Sequence, residues 1–430
     1  MTIEVIALFG ILFALLACGV WIGLTLALTA TLLLAMFRSI PLDKLLPQYA
    51  WNILTTQELL ALPLFILMGE LLFRTRLSRS LFQGLAPWAG LLPGRLLHVN
   101  VIGCTIFAAI SGSSAATTQV IGRMSLNELL RRGYSRDIAI GSLAGAGTLG
   151  FLIPPSNIMI IYGVLGDVSI LKLFTAGVLP GLLLAATFMG WVMLHTTLNP
   201  GMVPEAEAKL SQVPWRERFA ALKDLAPALF LIACVLGSMY GGLATPSEAA
   251  AVGVFGAALV AWAQGSMSQQ VMRDVLIGSV VTCSMIALIV LGASILGNAA
   301  AFLGIPQAVA AFVKGLGLSP FMLIVVLIIF YLILGCFLDG FSMIVMTLPI
   351  VKGAGFDEIW FGIFLVLAVE MAQITPPVGF NLFVIQGLTD DGLGYIARVT
   401  MPYLLIMVGF VLLLTLWPGI VTILPRVLYG

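Results

Sequence analysis

Charge is what this sequence has least of. Only 9% of its 430 residues are Asp, Glu, Lys or Arg, and only two are histidine, where a soluble domain carries roughly 25% charged residues. A water-facing surface cannot be built from so little charge. The formal net charge of +1 leaves no basic excess to follow a phosphate backbone, so no nucleic-acid partner is expected. Cys18, Cys104, Cys234, Cys283 and Cys336 stand singly in apolar runs, which excludes CxxC spacing and with it a zinc site or a disulfide framework. His98 and His195 are far apart, and neither HExxH nor GxxxxGK[ST] occurs. Without a nucleophile–base pair no enzyme is expected, and neither catalytic residues nor a cofactor. What is abundant is apolar: 61% of residues are hydrophobic and the mean hydropathy is +1.13. The fold class is an all-α polytopic membrane protein in a lipid bilayer.

Apolar stretches long enough to span fall at about 52–73, 138–165, 173–195, 226–246, 249–264, 275–297, 358–387 and 399–418, against the ~20 residues that cross a hydrocarbon core. The run 3–37 exceeds one span and lacks the basic flank of a secretory signal, so a retained segment broken near Cys18-Gly19 is expected. Stretches 96–130 and 319–351 are apolar but carry Gly/Ser or Asp-Gly in the middle. Thr196–Asp224 reads as the one long polar loop. It holds Lys209, Arg216, Arg218 and Lys223, and the segment Arg123–Asp137 holds four arginines. Both are placed on the cytoplasmic side by the positive-inside tendency. The same scheme puts Val351–Glu358 outside, and Arg38 and Lys44 too, against that tendency.

Two Pro-Pro pairs share their surroundings: GFLIPPSNIMIIYG (Gly150–Gly163) and AQITPPVGFNLFVIQG (Ala372–Gly387). Pro154 to Pro180 and Pro376 to Pro402 are both 26 residues, and a polar break precedes each pair, SGSSAATT (Ser111–Thr118) and LDGFS (Leu338–Ser342). LPLFILMGE (Leu62–Glu70) is placed in the first half as SMIALIVLGA (Ser284–Ala293) is in the second. Two repeats over 52–195 and 275–418, inverted by the topology above, are therefore expected. Segment 1–51 supplies an N-terminal scaffold helix and loop, 196–274 a cytoplasmic loop with linking scaffold helices, and 419–430 a C-terminal tail. Paired interrupted segments in inverted halves are the mark of a secondary transporter. A proline pair removes amide donors and frees carbonyl oxygens, each costing several kcal/mol in hydrocarbon unless something satisfies it. Freed carbonyls with nearby hydroxyls suit Na⁺, and half-helix amino termini at the same depth suit a carboxylate. The plainer reading, kinks used for packing, fits one such break better than two.

Gly112-Ser113-Ser114-Ala115, GTLGFLIPPSNIMIIYG (Gly147–Gly163), LFTAGVLPG (Leu173–Gly181), ATPSEAAAVG (Ala244–Gly253) and ITPPVGFNLFVIQG (Ile374–Gly387) together resemble the large membrane subunit of tripartite ATP-independent periplasmic (TRAP) transporters. The resemblance runs in order over nearly the whole chain. It implies an elevator-type transporter of the bacterial inner membrane, importing a small organic anion with Na⁺ as coupling ion. It further implies two partners, a small four-helix membrane subunit and a periplasmic binding protein. The two interrupted stretches become re-entrant helical hairpins, and each tip meets the broken helix that follows it. The sodium ligands implied are Ser113, Ser114, Gly150 and Pro154 at one junction, and Gly335, Ala372, Thr375 and Val378 at the other. Ala372 stands where the family often has glycine, and the turn PIVKGAG (Pro349–Gly355) is shorter than usual. A stand-alone carboxylate symporter of the same superfamily and a channel-like or scaffolding subunit remain alternatives.

For the solute, Ser111, Thr117, Asn157, Asp339 and Asn381 are the candidates. Asp339 serves equally as a helix cap, the small hydroxyl residues as close-packing positions, and the asparagines as interhelical hydrogen-bonding groups. Glu370 is the deepest acid by sequence, five residues before Thr375, in reach of a supporting role at that junction. Glu248 reads as part of a helix start, Glu70 and His98 as interfacial groups, and the tryptophans as an aromatic belt.

Overall fold

Helix ends in this chain are set by a few residues that stop or start winding. The computed structural model describes residues 2–429 except 39–40, 76, 206, 208–211, 306, 309–310, 312–314, 316, 336–337, 339, 352–355 and 377–378. Nineteen α-helices and no strand occur among the described residues. α1 (Thr2–Ala17) stops at Cys18-Gly19, where Gly19 has φ +75°, and α2 (Ile22–Phe37) restarts the winding. α3 (Leu42–Leu54) buries none of its residues and is bent by 54° against Gln57–Phe73, which contains α4 (Ala61–Phe73). Next come α5 (Leu77–Ala89), α6 (Leu97–Ser111), α7 (Ser114–Arg131), α8 (Arg136–Thr148), α9 (Asn157–Gly166) and α10 (Ile170–Leu198). α11 (Trp215–Tyr240), α12 (Pro246–Ala263) and α13 (Gln269–Phe302) link them to α14 (Pro320–Gly335), α15 (Gly340–Val351), α16 (Glu358–Gln373), α17 (Phe380–Thr389), α18 (Leu393–Leu416) and α19 (Gly419–Tyr429).

By length and composition α10, α11, α12, α13 and α18 can each cross a membrane, and the bent α3–α4 pair makes a sixth. They divide by contact into an outer and an inner set. In the outer set α2 packs along α13, and α4 along α12 and α13, while α11 lies between α5 and α12. Gly23 and Gly292 let α2 and α13 approach closely, since a Cβ on Gly23 would stand 2.7 Å from the Leu288 main chain; small residues at such crossings replace the missing hydrophobic drive with tight contact. The inner set holds α6–α10 and α14–α19, and its core includes nearly every residue of α8 and α16.

One order of elements occurs twice in the inner set. α8, a break, ten-residue α9, a left-handed Asp167 (φ 58°) and proline-bearing α10 are matched by α16, a break, ten-residue α17, a left-handed Asp390 (φ 58°) and proline-bearing α18. The start of each broken helix meets the far end of the other. Arg136 Nε at the start of α8 lies 2.9 Å from Asp391 Oδ2, its Nη2 donates to the Thr389 carbonyl at 2.9 Å, and Tyr395 donates to Asp137. At the opposite end Tyr162 donates to the Glu358 carbonyl at 2.6 Å.

Several expectations need correction. The polar loop is shorter than Thr196–Asp224 because Trp215–Asp224 is already helical, its charges forming the polar start of α11. Its first part is strapped to neighbouring turns, with Ser135 N donating to Met202 O (3.0 Å), Arg95 Nη1 to Pro204 O (3.0 Å) and Arg132 Nη1 to Glu207 Oε1 (3.2 Å). Residues 1–51 hold two helices and most of a third rather than one helix and a loop, and the tail from Gly419 is α19. His98 is fully buried, with Nε2 2.6 Å from Pro93 O, because Arg95 at φ 48° folds the turn back over it. Arg38, out of place by the charge count, donates to Phe302 O at 3.2 and 3.4 Å. It thus answers the free carbonyl end of α13.

Candidate ion and solute site

The first polar break forms a tight turn between α6 and α7. Gly112 takes the left-handed conformation (φ 60°, ψ 17°) and its N–H donates to Ala108 O, closing α6. Ser113 is extended (φ −135°, ψ 124°), and its hydroxyl accepts from Ala116 N at 3.4 Å, opening α7. Thr117 Oγ1 donates to Ser113 O at 2.8 Å and lies 3.0 Å from Ser111 Oγ, while Thr118 donates to Ser114 O at 2.9 Å. The hydroxyls of Ser111 and Thr117 therefore knit the turn itself. Ser111, Ser114, Thr117 and Thr118 are all buried.

This turn rests on the broken helix of its own half. Asn157 N donates to Gly112 O at 3.3 Å, and a Cβ on Gly112 would meet Pro155 O at 2.7 Å. A Cβ on Gly150 would meet Ser113 O at 2.6 Å and Ser114 Cα at 2.7 Å, so only glycine lets the two main chains touch. Of the first proposed ligand set, Gly150 thus lies against Ser113 and Ser114, and Pro154 sits in the break just beyond it, joined to Pro155 by a cis peptide. Ser156 opens α9 by accepting from Met159 N at 3.3 Å.

The second break reaches the same turn. Asn381, in the first turn of α17, donates from Nδ2 to Ser114 Oγ at 2.7 Å across 267 residues of chain. Asn157 and Asn381 are both buried, and the Oδ1 of each has no hydrogen-bond partner among the described residues. Such orphaned acceptors cost about 1–3 kcal/mol each. Together with the Gly112, Ser113 and Pro155 carbonyls, the arrangement is rich in oxygen acceptors, a donor set that fits Na⁺. The amino ends of α7, α9 and α17 also meet here, since α7 starts at Ser114 of this turn, and Asn157 and Asn381 both bond to the turn. Three helix starts give a partial positive charge suited to an anion.

The second junction is made differently. Gly335 packs against Ala372, and Gly340 against Val369. Thr375 Oγ1 donates back to Met371 O, in the last turn of α16, at 2.7 Å. Gly379 closes the break: its N–H donates to Thr375 O at 3.0 Å, and a Cβ on it would stand 2.9 Å from the carbonyl oxygens of both Gln373 and Thr375. Main-chain oxygens therefore converge beside Ala372 and Thr375. The expected residues Val378 and Asp339 lie outside the described residues. Phe341, one residue into α15, meets Phe151 of the first break edge-on at 6.2 Å between centroids.

Comparison with known proteins gives the family. Residues 9–420 match the family described as Tripartite ATP-independent periplasmic transporter, DctM component. This chain is a TRAP transporter large permease. A C4-dicarboxylate TRAP transporter large permease protein of Pseudomonas aeruginosa is 35% identical over 373 residues, 86% of each chain. The isethionate TRAP transporter permease protein DctMQ of Oleidesulfovibrio alaskensis is 31% identical, and the match covers 96% of this chain but 65% of that longer protein. Among solved structures, that of Neisseria gonorrhoeae MtrF, whose title speaks of a class of antimetabolite efflux pumps, superposes with a TM-score of 0.51 at 14% identity, covering 87% of this chain and 83% of that one. The last likeness concerns the fold alone. As a TRAP permease the chain belongs to a multi-pass membrane transporter, and its family implies a small membrane subunit and a periplasmic binding protein as partners.

Sequence reasoning placed the polar breaks but missed Gly379 and the Phe151–Phe341 contact. Gly379 precedes α17 as Ser156 precedes α9, but it stands one position later after its proline pair, so the register of the two pairs carried no signal for it. The aromatic contact carried none either. Glu248, read as a helix-start residue, closes a capping box with Thr245 at the head of α12.

Proposed function

We propose that this TRAP permease is a Na⁺-coupled importer of a small organic anion in the bacterial inner membrane, working by an elevator movement. The observation that carries this reading is the meeting of both chain breaks at the 112–114 turn, through Asn157 N to Gly112 O and Asn381 Nδ2 to Ser114 Oγ. One buried place then offers carbonyl oxygens for a cation and three helix amino ends for an anion. Na⁺ held by the oxygens orders the turn and the breaks, which completes the anion pocket. By linkage the anion must then tighten Na⁺ binding by the same factor. The coupling comes from geometry alone, with no bond made or broken.

The cargo class rests on the relatives. A C4-dicarboxylate and isethionate are named for two of them, and both are small organic anions of a size for such a pocket. The inverted relation of the halves is supported by the reciprocal contacts Arg136–Asp391 and Tyr162–Glu358. The elevator is supported by the division into an outer set with long apolar helices and an inner set that holds both breaks. A movement of the inner set as one body carries ion and anion together across the outer set, with the 96–130 and 319–351 stretches as re-entrant hairpins.

The test is uptake into proteoliposomes holding the permease and its small subunit, with the binding protein and a C4-dicarboxylate outside. Uptake is expected to saturate, to collapse when Na⁺ is replaced by choline, and to need the binding protein. Equal rates in choline would remove the Na⁺ reading, and full uptake without the binding protein would favour a self-sufficient symporter.

A further inference from the structure

Among the described residues, Glu370 is the one carboxyl of the inner set's core that none of the contacts above employs. It lies in α16 and is fully buried, and among the described residues no group reaches either carboxyl oxygen in hydrogen-bond geometry. A carboxyl without partners in such surroundings is among the most costly groups a fold can carry. An orphan of this kind calls for a partner that another state of the protein supplies.

Its neighbours on α16 show where it points. Val369 packs on Gly340 and Ala372 on Gly335, so that side of the helix faces α14 and α15. Glu370 instead faces the main-chain amides of Leu152 and Phe151 in the first break, close enough for both to act on it but short of well-formed hydrogen-bond geometry. Those amides are held by the break's own carbonyls, Phe151 N by Thr148 O at 3.1 Å and Leu152 N by Leu149 O at 3.2 Å. Glu370 is therefore two residues before one proposed ion ligand, Ala372, while its carboxyl lies against the peptide segment that leads from Gly150 to Pro154, ligands of the other.

We propose that Glu370 is the positioning residue that couples the two sodium sites. The inference rests on the Na⁺ reading above. The Phe151 and Leu152 amides have two competing acceptors, the carbonyls of Thr148 and Leu149 or the Glu370 carboxyl. A cation at the first junction would draw the Gly150 carbonyl toward itself and open the turn, and the Phe151 and Leu152 amides would pass from Thr148 and Leu149 to Glu370. That hydrogen bond fixes α16 and hence the Ala372–Thr375 carbonyls. Ordering of the second junction by its own ion presents Glu370 to the same amides, so either ion prepares the site of the other. The two-state element is the Thr148–Leu152 turn, and the coupling needs no change in the charge of the carboxyl.

The experiment is a Na⁺ titration of uptake by the complete three-component system for wild type, Glu370→Ala and Glu370→Gln. A parallel Na⁺ titration follows thermal unfolding of the purified permease. In wild type the response to Na⁺ is expected to be cooperative. Glu370→Ala should raise the half-saturating Na⁺ concentration about tenfold, in the usual range for coupled sites, and bring the Hill slope toward one. Glu370→Gln keeps the volume and one acceptor oxygen, so it is expected to fold like wild type and restore part of the cooperativity. A residue that only packs would lower expression or melting temperature and leave the Hill slope unchanged in both variants. That unchanged slope, in Glu370→Ala above all, would overturn the proposal. Absence of any Na⁺ response in wild type would instead remove the ion reading itself, so the two failures are distinguishable.

Discussion

The two junctions of this permease are held together by different materials. The first is built from side chains: Ser111, Thr117 and Thr118 hold the turn, Ser113 caps α7, and Asn381 reaches across from the other half to Ser114. The second is built from main chain: Thr375 bonds back to the Met371 carbonyl of α16, and Gly379 is pressed against two carbonyl oxygens. A site made of hydroxyls and amides fails when a side chain is shortened. A site made of carbonyls fails only when the chain is pushed out of place. Substitutions at the two junctions should therefore differ in kind, and each of the following can break or sharpen that contrast.

The largest effect is expected where glycine brings main chains together. A methyl at Gly150 meets backbone atoms of Ser113 and Ser114 that cannot turn aside. Overpacking of this kind costs about 1–3 kcal/mol or more. Na⁺-driven uptake by Gly150→Ala should fall roughly a hundredfold while the protein still elutes as folded permease. Near-normal uptake would show that the contact is loose.

Next is Ser114→Ala, which leaves the buried Asn381 amide without its acceptor. At about 1–3 kcal/mol for an unmet buried group, half-saturation by Na⁺ should rise about tenfold. Thr375→Ala should be milder. Its hydroxyl is tied to Met371 O and the ligand offered there is the carbonyl, so Na⁺ half-saturation should shift in the same direction by no more than about threefold, the scale of one modest hydrogen bond. If Thr375→Ala proved the more damaging of the two, the contrast between the junctions would be reversed.

The smallest effect lies far from both junctions, at the base of α7. Hydrogen bonds from Arg132, and then Arg131, hold the Glu128 carboxyl below the usual carboxylate range. A depressed carboxyl stabilises the fold above its unfolded pKa and loses that contribution as pH falls through the folded value. The contribution of Glu128 to thermal stability should thus be constant across neutral pH and decline only in acid. Glu128→Gln should cost less than about 1 kcal/mol, as expected of a largely solvent-screened ion pair, which a melting curve would register as a small shift.

Much of this was legible in the sequence, and the rest was hidden for identifiable reasons. Apolar runs and proline pairs mark helices and their breaks because lipid forbids unpaired backbone, so the interruptions at Ser111–Thr118 and after Pro154 stand out. The amphipathic pieces did not. α3 and α5 carry internal prolines and charges, and the start of α11 carries enough charge to read as loop. His98 looked interfacial because Arg95 precedes it, whereas the folded turn buries it. Arg38 contradicted the charge rule until Phe302 O appeared beside it. At the site, the residue types were readable but their pairing was not. Asn381 and Ser114 are 267 positions apart, and nothing local tells a hydroxyl at a turn which distant amide will meet it.

The central claim is that two distant chain breaks make one working site at the 112–114 turn. It is tested most directly by a double-mutant cycle on Na⁺ half-saturation with Ser114→Ala, Asn381→Ala and the two combined. Residues that act through one shared contact are non-additive, so the combined variant should be little worse than the more affected single variant. Effects that simply add would mean that the two halves act independently, and the account of a joint site would be wrong.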